Sequence, residues 1–512
     1  MSGRTIVPRG APEAAQVSYD LALAAVLRCV AEVLGVAEWT LDADSDFRLL
    51  KGSGVDSAEI VGMLGARGVP GDLLVTCPRL GDAARRLSRH RAPIPGTRPA
   101  NRSAGRYPAS REQDALLRLA RMLGAQVHAQ AAYAVMLDDV DETRLLAALD
   151  QVGKRQPALR TGIHHRDRAW TQQLNPAPPR IEIDPTPVDT SAALARRARE
   201  LLADTEFDHA SGDGLARWWL LGRRRRALVL VADQLVVDRR SWHVVLRDLE
   251  AAYRRRGRMI PLPPGPGDYV AWQTASTSAT DYEWQLRWWA ERMIGYHAEP
   301  IAPPDSAVSG PVALASVTLP RGAVILLHQQ LRARRRVTMW QLVTGVLGSR
   351  LGAWAGVGEV VVVHHSAHRI QALGAMAGLV ETGIPYTVPV GAGAWELAGR
   401  VRVDRAASWG HRDAQLGHLM TRIGSRDLDA IALRQADVFR TPPVISAGAV
   451  IPVPVAPVRQ RRTLTVALAP GPAGLTLEAT FRSDRIPPTR MRALLDQIRD
   501  DLMVVAAGRL PW

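Results

Sequence analysis

Three groups of residues in this 512-residue sequence have types and spacings suited to chemistry. The first is Asp56-Ser57, where a loop rich in Asp, Ser and Gly gives way to Ile60, Val61 and Leu64 at helical spacing. A serine at a helix N-terminus is expected to be exposed, and the unpaired backbone N–H groups there favour a phosphate on its hydroxyl. The same pair is also a common helix cap. The second group is Asp233-Gln234-Leu235-Val236-Val237-Asp238-Arg239, between the apolar run Ala227–Ala232 and Ser241-Trp242. Its carboxylates can accept protons, whereas the Gln234 amide can only hydrogen-bond at neutral pH. The third is His364-His365-Ser366-Ala367-His368, after the apolar run Glu359–Val363. Imidazoles serve as bases near neutrality or as zinc ligands. Adjacent residues on a strand point to opposite faces, which argues against a compact metal site, so no metal is expected. His164-His165 is expected to be solvated in a surface hairpin.

The elements that position these residues read in two styles. Between Tyr19 and Leu34 apolar residues recur at helical spacing, and shorter helices are expected from Ser57 and near Leu80–Leu87. Together they make a small all-α bundle over residues 18–88, with residues 1–17 expected to be disordered. Residues 89–106, rich in Pro and Gly without apolar periodicity, read as a linker. From Tyr107 onward helices alternate with β-rich runs. Strands are expected at Ala227–Ala232, Glu359–Val363 and Thr463–Leu468, and helices at Glu112–Leu123, Glu142–Lys154, Trp242–Arg255, Arg321–Arg334 and Pro488–Val505. Such alternation indicates sheets layered with helices. The break Pro261–Pro266 divides this part into lobes at 107–266 and 267–512.

Composition narrows the classes. The net charge of +15 is carried almost wholly by arginine, lysine occurring only at Lys51 and Lys154. The arginine clusters lack interleaved aromatics, so no nucleic acid is expected as partner; a basic surface can still steer an acidic protein. No apolar run is long enough for a membrane span, and the N-terminus lacks the apolar core of a secretion signal. Cys29 and Cys77 form no disulfide framework, so a cytoplasmic location is expected.

Gly54-Val55-Asp56-Ser57 resembles the attachment site of acyl and peptidyl carrier proteins. The resemblance implies a 4'-phosphopantetheine arm on Ser57, beside Asp56, that holds an acyl or aminoacyl group as a thioester. Two features depart from that family: Ala58 replaces the usual Leu, and the stretch from Ser57 to Pro78 is short.

From Tyr107 onward the sequence resembles condensation domains of nonribosomal peptide synthetases. The resemblance rests on Tyr107-Pro108-Ala109-Ser110 with Gln113, Pro157-Ala158-Leu159-Arg160-Thr161, and Gly214-Leu215-Ala216-Arg217. Asp268-Tyr269-Val270-Ala271-Trp272-Gln273, Gly378-Leu379-Val380-Glu381-Thr382 with Pro385, and His411-Arg412-Asp413 follow in the same order. It implies an α/β fold of two chloramphenicol-acetyltransferase-like lobes in a V, with a tunnel between them and a His-His-x-x-x-Asp-Gly motif at its middle. Here Asp233 and Gln234 stand for the two histidines, Asp238 matches the aspartate, which is chiefly structural in the family, and Arg239 replaces the glycine.

The resemblance therefore implies a synthetase component that carries and presents an acyl group but is impaired in ordinary condensation, serving recruitment or docking. One alternative is an active non-standard condensation enzyme, with Gln234 orienting a nucleophile and Asp233 taking the proton. Another is a stand-alone acyltransferase with a vestigial helical domain. The expected partners are an adenylation protein and a phosphopantetheinyl transferase in trans, and other carrier domains or a tailoring enzyme.

Overall fold

The computed structural model describes residues 11–34, 41–50 and 72–89, with positions 57, 60, 61, 64 and 69 between them. It also describes 105–509 apart from 125–129, 138, 167–168, 210, 223–225, 255–262, 297–307, 335–336, 368–374, 436–443, 446–447, 450 and 454. Most of the expected 89–106 linker, and Asp56 and His368, lie outside the described residues.

The first helix runs Ala11–Leu34, beginning earlier than the expected Tyr19. It packs against the helix Leu80–Arg89, with the short helix Leu73–Thr76 between Ser57 and that last helix. Val26, Val30, Phe47, Ile60, Leu74 and Leu80 form a core of their own. Gly81 lets the last helix touch the loop before it: a Cβ there would lie 2.8 Å from the Ala43 carbonyl oxygen.

The remainder is built on two large sheets. A five-stranded sheet has the order Ile451–Val453, Gln130–Leu137, Arg226–Asp233, Ala216–Leu221, Arg180–Asp184. Every residue from Ala227 to Asp233 is buried, because helices cover both faces of that central strand. The helices Glu142–Arg155 and Arg239–Tyr253 lie on one side and Ser191–Asp204 on the other. A seven-stranded mixed sheet has the order Glu381–Pro389, Glu359–Ala367, Ile431–Gln435, Leu464–Gly471, Gly474–Arg482, Gly310–Pro320, Arg459–Gln460. Its core includes the helices Met339–Ala355, Ala394–Ser408 and Pro488–Ala506.

Elements on the two sides of the expected division at residue 266 share a sheet and a core. The strand Ile451–Val453 pairs with Gln130–Leu137, so the late chain returns to the first sheet (Ile451 opposite Met136). The helix Arg111–Leu123 serves both cores, burying Leu117 in the first and Leu119 in the second. The proline-rich break does not end in a loop. Pro266 starts the helix Pro266–Ser276, a position where its missing N–H costs nothing, and the Asp268 carboxylate accepts the Gly265 N–H at 2.8 Å. His164 and His165 lie on the expected hairpin, Thr161–Arg166 against Ala169–Leu174, and His165 is exposed, but His164 corrects the solvated reading: it is buried, with Nε2 2.8 Å from Gln173 Oε1.

Candidate active site

The strand Arg226–Asp233 ends where Asp233 turns the chain. Its Oδ1 accepts the Leu235 N–H at 2.8 Å, and its Oδ2 lies 3.0 Å from His209 Nε2. The side chain is fully buried. Asp238 closes the same turn as the cap of the helix Arg239–Tyr253. Its Oδ1 accepts both the N–H and the hydroxyl of Ser241 at 2.8 Å, and its Oδ2 accepts the Val380 N–H at 3.3 Å. Asp233, expected in one reading to take a proton, accepts a backbone N–H and faces an imidazole.

Gln234, between these two, lines a cleft shared with Glu112, His365, Glu381, Gln415 and Arg462. The cleft gathers residues from both sheets because the helix Arg111–Leu123 and the helix Leu416–Ile423 pack closely beside it. A Cβ on Gly417 would lie 2.5 Å from the Ala115 carbonyl oxygen. Glu112 is buried and accepts hydrogen bonds from Tyr269 (2.8 Å), Gln273 (2.8 Å) and Gln415 (3.1 Å). Burial pushes its carboxyl above the ordinary range, against the pull of those donors.

The charged part of the cleft centres on Glu381. Its Oε1 lies 3.3 Å from His365 Nδ1, and its Oε2 lies 4.0 Å from Arg239 Nε. Burial opposes its ionisation, but Arg239, the His365 hydrogen bond and Arg462 outweigh that and hold the carboxyl at about 2. Arg239 also donates to the Gln435 carbonyl at 3.2 Å, so the guanidinium expected at the tunnel centre reaches across to the second sheet. Beyond it, Arg462 Nε lies 3.3 Å from Asp429, which Arg461 also pairs. Burial raises the Asp429 carboxyl, but these two guanidiniums bring it below its usual range.

His365 and His364 occupy opposite faces of the strand Glu359–Ala367, as alternation requires. His364 packs against Trp340, ring centroids 4.2 Å apart, and burial takes it well below the ordinary histidine pKa. His365 faces the cleft. Burial and Arg462 lower its pKa while Glu381 raises it, with a net fall. Among the described residues its Nε2 is buried without a hydrogen-bond partner, and no cluster suited to a metal ion is found.

Ser57 lies in the N-terminal bundle and corrects the expectation of an exposed hydroxyl. It is fully buried, and its Oγ accepts the Leu74 N–H at 2.9 Å. The short helix Leu73–Thr76 covers it, because Leu73 and Leu74 belong to the same apolar core as Ile60 and Val61. Glu112, Asp429 and Arg462 were not singled out from sequence. Glu112 meets Gln415 across 303 residues, and no local spacing announces such a contact. Glu381 stood within a recognised motif, with its role unassigned.

The pattern of the condensation-domain family matches residues 103–420, and the chain belongs to that family, of the nonribosomal-peptide-synthetase type. A 240-residue stretch, 44% of this chain and 5% of the relative, is 26% identical to a linear gramicidin synthase of Brevibacillus parabrevis. Another of 169 residues, 31% of this chain and 2% of the relative, is 27% identical to nonribosomal peptide synthetase agiA of Aspergillus flavus. The matches thus span a few per cent of these relatives' length. Among solved structures, the X-domain from teicoplanin biosynthesis superimposes with a TM-score of 0.67 at 21% identity, over 81% of this chain and 98% of that one. The first condensation domain of the calcium-dependent antibiotic synthetase does so with 0.66 at 16%, over 79% and 97%. These likenesses establish the fold. Among the described residues no helix is long and apolar enough to cross a membrane.

Proposed function

We propose that this chain is a component of nonribosomal peptide assembly whose condensation fold docks a carrier-bound chain or a tailoring enzyme supplied by another protein. It does not form amides through the signature motif. One observation carries this reading. The motif's base position is Gln234, which cannot take a proton, and the flanking carboxylates are committed to the fold, Asp233 to Leu235 and His209 and Asp238 to Ser241 and Val380. The X-domain of teicoplanin biosynthesis, similar in fold, is known in a complex with OxyB, which supports a recruiting role.

The thioester-bearing arm is that of a partner's carrier domain, loaded by an adenylation protein in trans. The chain's own Ser57 does not fit a phosphopantetheine arm in this conformation, since its hydroxyl is buried and already accepts a backbone hydrogen bond. The N-terminal bundle serves the docking reading as a carrier-like unit with a closed serine.

The test is reconstitution with a peptidyl-loaded carrier domain in trans, measuring binding by calorimetry and product by mass spectrometry. Binding of the loaded carrier, with product yield unchanged by Gln234→Ala, is the expected result. An amide product that disappears in Gln234→Ala would overturn the proposal.

A further inference from the structure

The cleft contains a group that docking does not require. His365 stands on the second sheet and lines the cleft together with the vacated motif position, with Nδ1 toward the Glu381 carboxylate and Nε2 buried without a hydrogen-bond partner among the described residues. Buried ring nitrogens are mostly hydrogen-bonded, so an unpaired one aimed at a cleft asks for an explanation. An ionised carboxylate on Nδ1 fixes the tautomer that leaves a lone pair on Nε2. Glu381 is kept ionised by Arg239, the residue that replaces the motif's glycine. Of the two departures from the family motif, Gln234 therefore lines the same cleft as the His365–Glu381 pair, and Arg239 approaches that pair through Glu381, Nε to Oε2 4.0 Å.

We propose that His365, oriented by Glu381, is the base of a thioester-cleaving activity in this cleft, in place of the histidine missing from the motif. The proposal rests on the reading that carrier-bound acyl chains reach this fold. The substrate is an acyl or aminoacyl phosphopantetheine thioester, and the nucleophile bears an N–H or O–H. As that nitrogen or oxygen bonds to the thioester carbonyl carbon, Nε2 takes its proton. The C–S bond then breaks, and the leaving thiolate recovers the proton from the imidazolium. The products are a free thiol and an amide, ester or acid, and His365 returns to its neutral form. The charged groups facing the ring are Glu381 from the neighbouring strand, Arg239 from the helix after the motif, and Arg462 with Asp429 behind it. The guanidiniums and burial lower its pKa, so the base form prevails at neutral pH.

The experiment follows thiol release from soluble acyl- and aminoacyl-phosphopantetheine thioesters, with water alone and with added amines, using the full chain. Soluble thioesters bypass carrier docking, so this result is independent of the binding test above. Wild type is expected to exceed the protein-free rate, with a plateau near neutrality and a fall at acid pH. His365→Gln, with its fold verified by thermal melting, should lose about 10²–10⁴-fold. Glu381→Gln should lower the plateau and move the acid limb to lower pH, since it removes the anion that favours the imidazolium. A purely structural role for Glu381 would lower the rate without moving the limb. Release by wild type no faster than the blank across the panel, or equal release by His365→Gln, overturns the proposal.

Discussion

The Val380 N–H donates to Asp238 Oδ2 at 3.3 Å, joining the end of the motif to the segment that leads into the strand Glu381–Pro389. The other oxygen of the same carboxylate caps the helix Arg239–Tyr253 through Ser241. Asp238→Ala therefore removes a helix cap and leaves buried donors without an acceptor. Loss of a cap costs about 0.5–2 kcal/mol, and an unpaired buried donor about 1–3 kcal/mol more. The expected outcome is a clear fall in the urea midpoint. An unchanged midpoint would show that the carboxylate is not the joint described here.

Ser57 makes a separate prediction about the N-terminal bundle. Its Oγ accepts the Leu74 N–H in an apolar core, so Ser57→Ala strands that donor and should destabilise the bundle by about 1–3 kcal/mol. The same burial predicts that a broad phosphopantetheinyl transferase with coenzyme A adds no arm to the folded chain, as read by intact-protein mass spectrometry. A mass gain of one arm in wild type, absent in Ser57→Ala, would instead establish an open, modifiable serine and a working carrier.

Gly81 tests how closely the bundle is packed. A Cβ there would lie 2.8 Å from the Ala43 carbonyl oxygen, a backbone atom held in the same turn by the Gly81 N–H at 2.8 Å. Gly81→Ala is thus expected to cost about 1–3 kcal/mol, as overpacking does, despite the better helix propensity of alanine. The far-ultraviolet melting transition of the bundle reads this directly.

Sequence made the motif strand legible because its signals are local. Ala227–Ala232 is a continuous apolar run, and Asp238 with Ser241 is a capping pair at helical spacing. The helix Arg321–Arg334 was likewise readable, with the bounds the structure gives. What stayed hidden depends on long-range pairing. The strand Ile451–Val453 is short and contains a proline, and only its edge pairing with Gln130–Leu137 makes it a strand. The helix Met339–Ala355 is apolar on nearly all sides, so no face stood out as amphipathic. Of the cleft, Gln234 and His365 were visible from sequence, as were Asp238 and His364 beside it. The link from His365 to Glu381 required the register that sets Glu381 opposite Ala367 and Gly383 opposite His365.

His411 supplies the pH prediction. Its ring stacks on Trp288, centroids 4.0 Å apart and planes within 4°, and also meets Trp284 at 4.5 Å. Its Nδ1 is buried without a partner among the described residues, and Arg292 already sits over the Trp288 ring. Burial thus brings the imidazole down to about 4 from the ordinary 6.5. A histidine whose folded pKa is depressed contributes stability that is present above the unfolded pKa and lost as pH falls toward the folded value. The window here runs from about pH 6.5 to 4. By proton linkage the loss at pH 5 relative to pH 7.5 amounts to about 2 kcal/mol. His411→Leu keeps an apolar group between the indoles and removes the titration. Urea midpoints at pH 7.5 and 5 should therefore differ less in this variant than in wild type, by an amount near that figure. An equal pH sensitivity in the two proteins would mean that His411 titrates as freely folded as unfolded.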